Sequence, residues 1–147
     1  MANPIVQFLN SQIGNTIENT PSEVSNWLKG KLISAEEGKI KISFTIRKEM
    51  MNPAGVLHGG MASLIADDMM GMCLFTLNKE HFYTSINLTM DFLKPAFLGD
   101  EIVAEAEVIK DGKKITHCVC KLMRDTTVIA YSTSNLMATS KPNGFSQ

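Results

Sequence analysis

Asn52-Pro53-Ala54-Gly55-Val56-Leu57-His58-Gly59-Gly60-Met61-Ala62-Ser63-Leu64-Ile65-Ala66-Asp67-Asp68 is the stretch on which the reading of this chain turns. Asn-Pro and Gly55 mark its first part as loop. From Gly59 to about Leu77 the residues are apolar on nearly every side, whereas a surface helix keeps a polar face. Such a helix needs cover around most of its circumference. Asp67 and Asp68 interrupt the apolar run at its middle. Adjacent carboxylates are costly at mid-bilayer, so the run reads as a helix buried in protein rather than a membrane span.

Alternating segments on both sides supply the cover. Strands are expected at 31–34 and 39–47, joined by a turn at Glu36-Glu37-Gly38. In the second, Ile40, Ile42, Phe44 and Ile46 alternate with Lys39, Lys41, Ser43 and Thr45, the period of a sheet with one wet face. After the helix come strands at 85–92, 101–109, 114–124 and 128–138, expected as one antiparallel run. In the first of these Ile86, Leu88, Met90 and Phe92 are predicted to share a face. Asp111-Gly112 marks a hairpin, and Asp125-Thr126-Thr127 a second turn. Two short helices are expected ahead of the sheet, one opening at Asn3-Pro4, the other at Thr20-Pro21-Ser22-Glu23 as a capping box. The fold class is α+β: a curved antiparallel sheet around one long central helix, in a single domain over 1–147. Residues 1–30 form an N-terminal helical extension, and 141–147 are expected to be a frayed tail.

Composition narrows the function classes. A formal net charge of −1 with 20% charged residues gives no footprint for nucleic acid or an anionic membrane. Cys73, Cys118 and Cys120 have neither metal-ligand nor redox spacing, and read as small buried hydrophobes. An odd thiol count, and a first segment without a basic region or long apolar core, give a cytoplasmic location as the expectation.

The start of the long helix and its carboxylates are the candidate chemistry. The first N–H groups of a helix lack internal partners and favour negative charge, so His58-Gly59-Gly60 can polarise a carbonyl; the alternative is that the glycines only permit tight packing at a bend. Asp67 and Asp68 lie about 100° apart around a helix, so both cannot point into one pocket. Either one of them lines a cleft as base or nucleophile, or one faces solvent while the other caps a neighbouring backbone group. Ser63, Ser85 and His58 lack a G-x-S-x-G elbow, and Cys73 or Cys118 with His117 is a weaker nucleophilic pair. Met69, Met70, Met72, Phe75 and Phe82 suit ordinary packing better than an adaptable pocket. Lys94, Lys110, Lys113 and Lys114 are left without assignment.

The stretch from Asn52 to Asp67, continued by Thr84-Ser85-Ile86-Asn87-Leu88, Phe92-Leu93-Lys94-Pro95-Ala96 and Leu98-Gly99-Asp100, resembles the signature of hotdog-fold acyl-CoA thioesterases. The branch is that of the phenylacetate-degradation and 4-hydroxybenzoyl-CoA thioesterases, and the resemblance spans residues 31–139. It implies dimers joined through a continuous sheet, often paired into tetramers, with sites across the dimer interface. It further implies that the Gly59 amide polarises the thioester carbonyl while Asn52 holds reacting groups or water. His58 orients the loop, Ser85 orients the water, and Asp67 of the other subunit is nucleophile or general base. The expected reaction is hydrolysis of acyl-CoA to free acid and CoA, with no metal and no cofactor beyond the CoA of the substrate. The alternatives are a non-catalytic acyl-CoA binding module and a hotdog enoyl-CoA hydratase or dehydratase.

Overall fold

The structure is a computed structural model and describes residues 2–143. Its elements are α1 (Pro4–Ser11), α2 (Glu23–Leu28), β1 (Lys31–Glu36), β2 (Lys39–Thr45), a 3-10 turn (Lys48–Met50), α3 (Gly59–Phe75), β3 (His81–Phe92), β4 (Glu101–Asp111), β5 (Ile115–Arg124) and β6 (Thr127–Pro142). The six strands form one sheet in the order β1-β2-β4-β5-β6-β3, and every pairing is antiparallel.

Helix α3 lies against the inner face of this sheet. Ala104 and Ala106 of β4, Cys118 and Cys120 of β5, and Ser132 and Ser134 of β6 are all buried there. Their small size lets the helix approach the central strands, while Ile40, Ile42, Phe44, Leu122 and Leu136 fill the space around it. Ile65, Met69 and Met70 of α3 are 0% exposed. Burying each such side chain is worth about 1.5–3 kcal/mol, so the helix face contributes substantially to stability. Met72 and Phe75 pack against the same core, so four of the five residues weighed as a possible adaptable pocket serve packing; Phe82 instead stands 57% exposed on β3.

Three sequence expectations need correction. The later strands are antiparallel as expected, and β4, β5 and β6 are sequential neighbours. However, β3 pairs with β6 at the sheet edge, and residues 93–100 carry the chain past the start of α3 to β4. Turn signals identify hairpin neighbours only, and the turn at Gly99 lies inside this crossover rather than in a hairpin. The α2 N-cap is Ser22, whose Oγ accepts from Ser25 N at 3.2 Å. Thr20 is drawn aside, its N–H and hydroxyl both bonded to Asn26 Oδ1 at 2.9 and 2.8 Å. Finally, β6 runs through Pro142, opposite His81, so 141–142 are strand rather than frayed tail. Residues 144–147 lie outside the described residues.

The two sheet edges differ. The start of the β1 edge is covered by the preceding segment, with Gly14 N bonded to Leu32 O at 2.9 Å, Ile17 N to Gly30 O at 2.7 Å and Leu32 N to Asn15 O at 3.3 Å. The outer edge of β3 has no strand against it among the described residues, and it carries Ile86 at 53% and Phe92 at 59% exposure. A long apolar edge left open is an invitation to strand pairing.

The far end of α3 is held by Thr76, fully buried. Its hydroxyl donates to Cys73 O at 2.6 Å and accepts from Gly38 N at 2.8 Å. Asn3 Nδ2 donates to Thr76 O at 2.7 Å, and Asn3 Oδ1 caps α1 by accepting from Ile5 N and Val6 N. Thr76→Val keeps the shape but leaves the Gly38 N–H buried without an acceptor, a loss of about 1–3 kcal/mol. Urea unfolding of the variant is expected to show a lower midpoint with an unchanged m-value; an unchanged midpoint would contradict this account.

Candidate active site

His58 is the N-cap of α3, with extended backbone, and its Nδ1 accepts from Gly60 N at 2.9 Å. A Cβ on Gly60 would sit 3.1 Å from that nitrogen, so glycine there preserves the cap. Through this bond the ring serves the loop. The Gly59 N–H, at the first helical position, has no acceptor among the described residues. It borders a pocket of about 340 Å³ lined by Asn52, Val56, Leu57, Phe92, Lys94 and Ile129, among others. The Phe92 ring packs on Gly59 so closely that a Cβ would lie 3.2 Å from it. The glycine pair permits close packing at the bend, and Gly59, whose N–H has no acceptor among the described residues, borders the pocket.

Asn52 shapes the loop that leads into the helix. Its Oδ1 accepts from Ala54 N at 3.0 Å and Val56 N at 3.1 Å, and its N–H bonds Val56 O at 2.8 Å. Gly55 takes the left-handed turn conformation, φ 83°, that closes this loop.

About two turns into α3, the two carboxylates part company. Asp67 is exposed, and its Oδ1 accepts from Ser85 Oγ of β3 at 2.7 Å. They line an open groove of about 440 Å³ with Gly60, Ser63, Leu64, Ile86, Asn87 and Leu88. Asp68 turns the other way, toward α2, where Ser25 Oγ reaches both of its oxygens at 2.9 Å. Burial raises the Asp68 pKa above the usual carboxylate range, the Ser25 hydrogen bond opposes the rise, and the neighbouring Asp67 charge adds to it. Asp68 is thus an anchor for α2, and Asp67 is the carboxylate presented to an open site.

Within one chain the five predicted site residues fall into two groups. Asn52 and Gly59 border the first pocket, Asp67 and Ser85 the second groove, and His58 caps the helix between them. The weaker alternatives are not assembled. Ser63 Oγ is engaged with Gly59 O at 2.9 Å. His117 Nδ1 meets Asn135 Oδ1 at 2.8 Å, whereas Cys118 is buried in the core. Contact with Cys118, together with burial, holds the Cys73 thiol well above its ordinary pKa, and burial pushes that of Cys120 up to about 12. No thiolate is available from these. Among the described residues no three His, Cys, Asp or Glu side chains are grouped to hold a metal ion, and no helix is long and apolar enough to cross a membrane.

Three features of the site were not foreseen from sequence: the Ser25–Asp68 contact, the Phe92 ring on Gly59, and a bulge in β3. The register of β3 against β6 shifts between Ser85 and Asn87, so Ile86 is an extra residue. Ser85 consequently shares the inner face with Leu88, Met90 and Phe92, and Ile86 does not, contrary to the alternation expected for this strand.

The family profile of the thioesterase superfamily matches residues 54–130, a span that contains His58, Gly59, Asp67 and Ser85. Acyl-coenzyme A thioesterase 13 of Homo sapiens is 30% identical over 96 residues, 65% of this chain and 69% of that protein. Acyl-coenzyme A thioesterase PaaI of Escherichia coli K12 is 31% identical over 84 residues, 56% of this chain and 58% of its own. The chain belongs to the thioesterase superfamily. Its fold is the hotdog fold: the solved E. coli PaaI protein superposes with a TM-score of 0.77 at 22% identity, covering 83% of this chain and 88% of that one. A Streptococcus mutans protein bound to acetyl CoA superposes with a TM-score of 0.76 at 17% identity, covering 88% and 100%.

The raised pKa of Asp68 has a signed consequence. Between the ordinary and the raised value the folded chain holds a proton that the unfolded chain releases, so stability falls as pH rises through that window. Asp68→Asn keeps an acceptor for Ser25 and never ionises. Its stability relative to wild type should therefore be greater at pH 7 than at about pH 4, as read from urea midpoints. A difference that shrinks toward neutral pH would reverse the assignment.

Proposed function

We propose that this protein hydrolyses an acyl-CoA thioester to the free acid and CoA, with Asp67 as general base or nucleophile. The observation that carries the reading is the exposed Asp67 carboxylate, bonded by Ser85 at 2.7 Å in an open groove. Thioester hydrolysis needs an ionised carboxylate and a carbonyl-polarising donor directed at one carbon. The Gly59 amide is that donor, Asn52 and His58 fix the loop that presents it, and Ser85 orients the water or the carboxylate.

One chain keeps the two halves apart, and a homodimer reunites them. Two copies joined through their open β3 edges would form a continuous sheet, with Asp67 of one subunit meeting the Gly59 amide of its partner. The exposed Ile86 and Phe92 on that edge support this arrangement. A dimer of such dimers is the larger assembly in the same reading. The chemistry requires no metal or redox cofactor, CoA entering only as part of the substrate. A cytoplasmic location accords with three free thiols. A binder without turnover would have no need of such a carboxylate, and an enoyl-CoA hydratase pairs its acidic residue with a histidine, whereas Asp67 is met by Ser85 and His58 is bonded to Gly60 N.

Thiol release from a panel of short, medium, long and aryl acyl-CoAs tests the proposal. Asp67→Asn is expected to lower turnover by about 10²–10⁴-fold while the fold, by circular dichroism, is retained. The same preparations should sediment as a dimer or a multiple of it. Turnover in Asp67→Asn equal to wild type would remove Asp67 from the mechanism, and binding of acyl-CoA without thiol release across the panel would leave a binding module.

A further inference from the structure

We infer that Asn87 is a positioning residue for the proposed reaction: it locks the bulge in β3 that turns Ser85 toward Asp67. The inference rests on the assignment of Asp67 and Ser85 above and adds to it a residue that touches neither reacting group.

Side chains alternate across a strand, so residues an odd number of positions apart face opposite ways. Ser85 and Phe92 are an odd number apart, yet both face inward. Ser85 pairs with Leu136 and Phe92 with Ala130, both of which are buried on the inner face of β6. Ser85 reaches Asp67, and Phe92 packs on Gly59. One strand can serve both halves of the site only because Ile86 is inserted between them. A regular strand that kept Leu88, Met90 and Phe92 inward would place Ile86 inward and Ser85 on the outer face, its hydroxyl turned away from α3.

A bulge interrupts the ladder and leaves backbone groups to be satisfied otherwise. Asn87 does this. Its Oδ1 accepts from Asn135 N at 2.9 Å and from Asn135 Nδ2 at 3.2 Å. Ser134 Oγ donates to Asn87 O at 2.8 Å from the other side. Asn135 Oδ1 in turn meets His117 Nδ1 on β5 at 2.8 Å, so the clamp spans three strands. An asparagine is suited to the role because its carbonyl oxygen replaces the ladder acceptor that the bulge displaces.

The test is a double-mutant cycle in the thiol-release assay, using the full chain. Asn87→Ala should lower kcat by about tenfold to a hundredfold with KM little changed, the scale of a small misplacement near reacting groups. Ser85→Ala should fall by the same factor, and the double variant no further, because Asn87 acts through Ser85. Asn87→Asp, which retains an oxygen for the Asn135 N–H, should restore most of the loss; it is also the variant that decides the matter should Asn87→Ala fail to fold. Losses that multiply in the double variant, or wild-type kcat in Asn87→Ala, would overturn the inference, as would Asn87→Asp folded but as slow as Ser85→Ala. A silent Ser85→Ala beside an impaired Asn87→Ala would instead overturn the role of Ser85 on which the inference stands.

Discussion

Helix α3 has almost no polar face to offer water, and that constraint shapes the rest of the chain. A single flat sheet would cover one side of it. Here the sheet supplies alanine, cysteine and serine at its centre and larger residues around them, so the helix nests while Leu28, Met50 and the loop before it close the remaining sides. The margin facing β3 is left open, and Asp67 stands there. The groove half of the candidate site thus lies where the burial of the helix is incomplete.

The same geometry separates the duties of two adjacent carboxylates. A step of one residue around the helix carries Asp68 out of the groove and under α2, where a serine holds it, while Asp67 meets a different serine on β3. Each is met by a hydroxyl, and burial distinguishes them. The one under α2 resists ionisation; the one at the groove has solvent on its open side. Sequence adjacency therefore says little about shared function on a helix, and the neighbouring charge mostly serves to hold an outlying element in place.

Much of this was legible beforehand. Ile40, Ile42, Phe44 and Ile46 alternate without interruption and lie buried as expected, and the long helix opens at Gly59 as the end of the loop signals implied. What failed did so for local reasons. The alternation of Ile86 with Leu88 matched a regular strand, but a bulge depends on pairing with β6, to which the sequence of β3 alone is blind. Thr20 had the spacing of a capping box and lost to Ser22, because Asn26 competed for its hydroxyl. Selecting Asp67 over Asp68 required family resemblance, since helical periodicity shows only that they diverge. The spatial place of β3, at the edge beyond β6, followed from a crossover whose turn residues do not say which strands it joins.

The covered edge at β1 has a consequence for growth of the sheet. Strand addition propagates when each unit offers two free edges, as in a ribbon or fibre. In this chain the edges are unequal, because residues 14–17 already bond Gly30 and Leu32 at the start of β1. In the dimer proposed above, joining through β3 would use up that edge in both copies. The apolar row on β3 would then be covered, and the segment ahead of β1 narrows the room for a further strand on the other side.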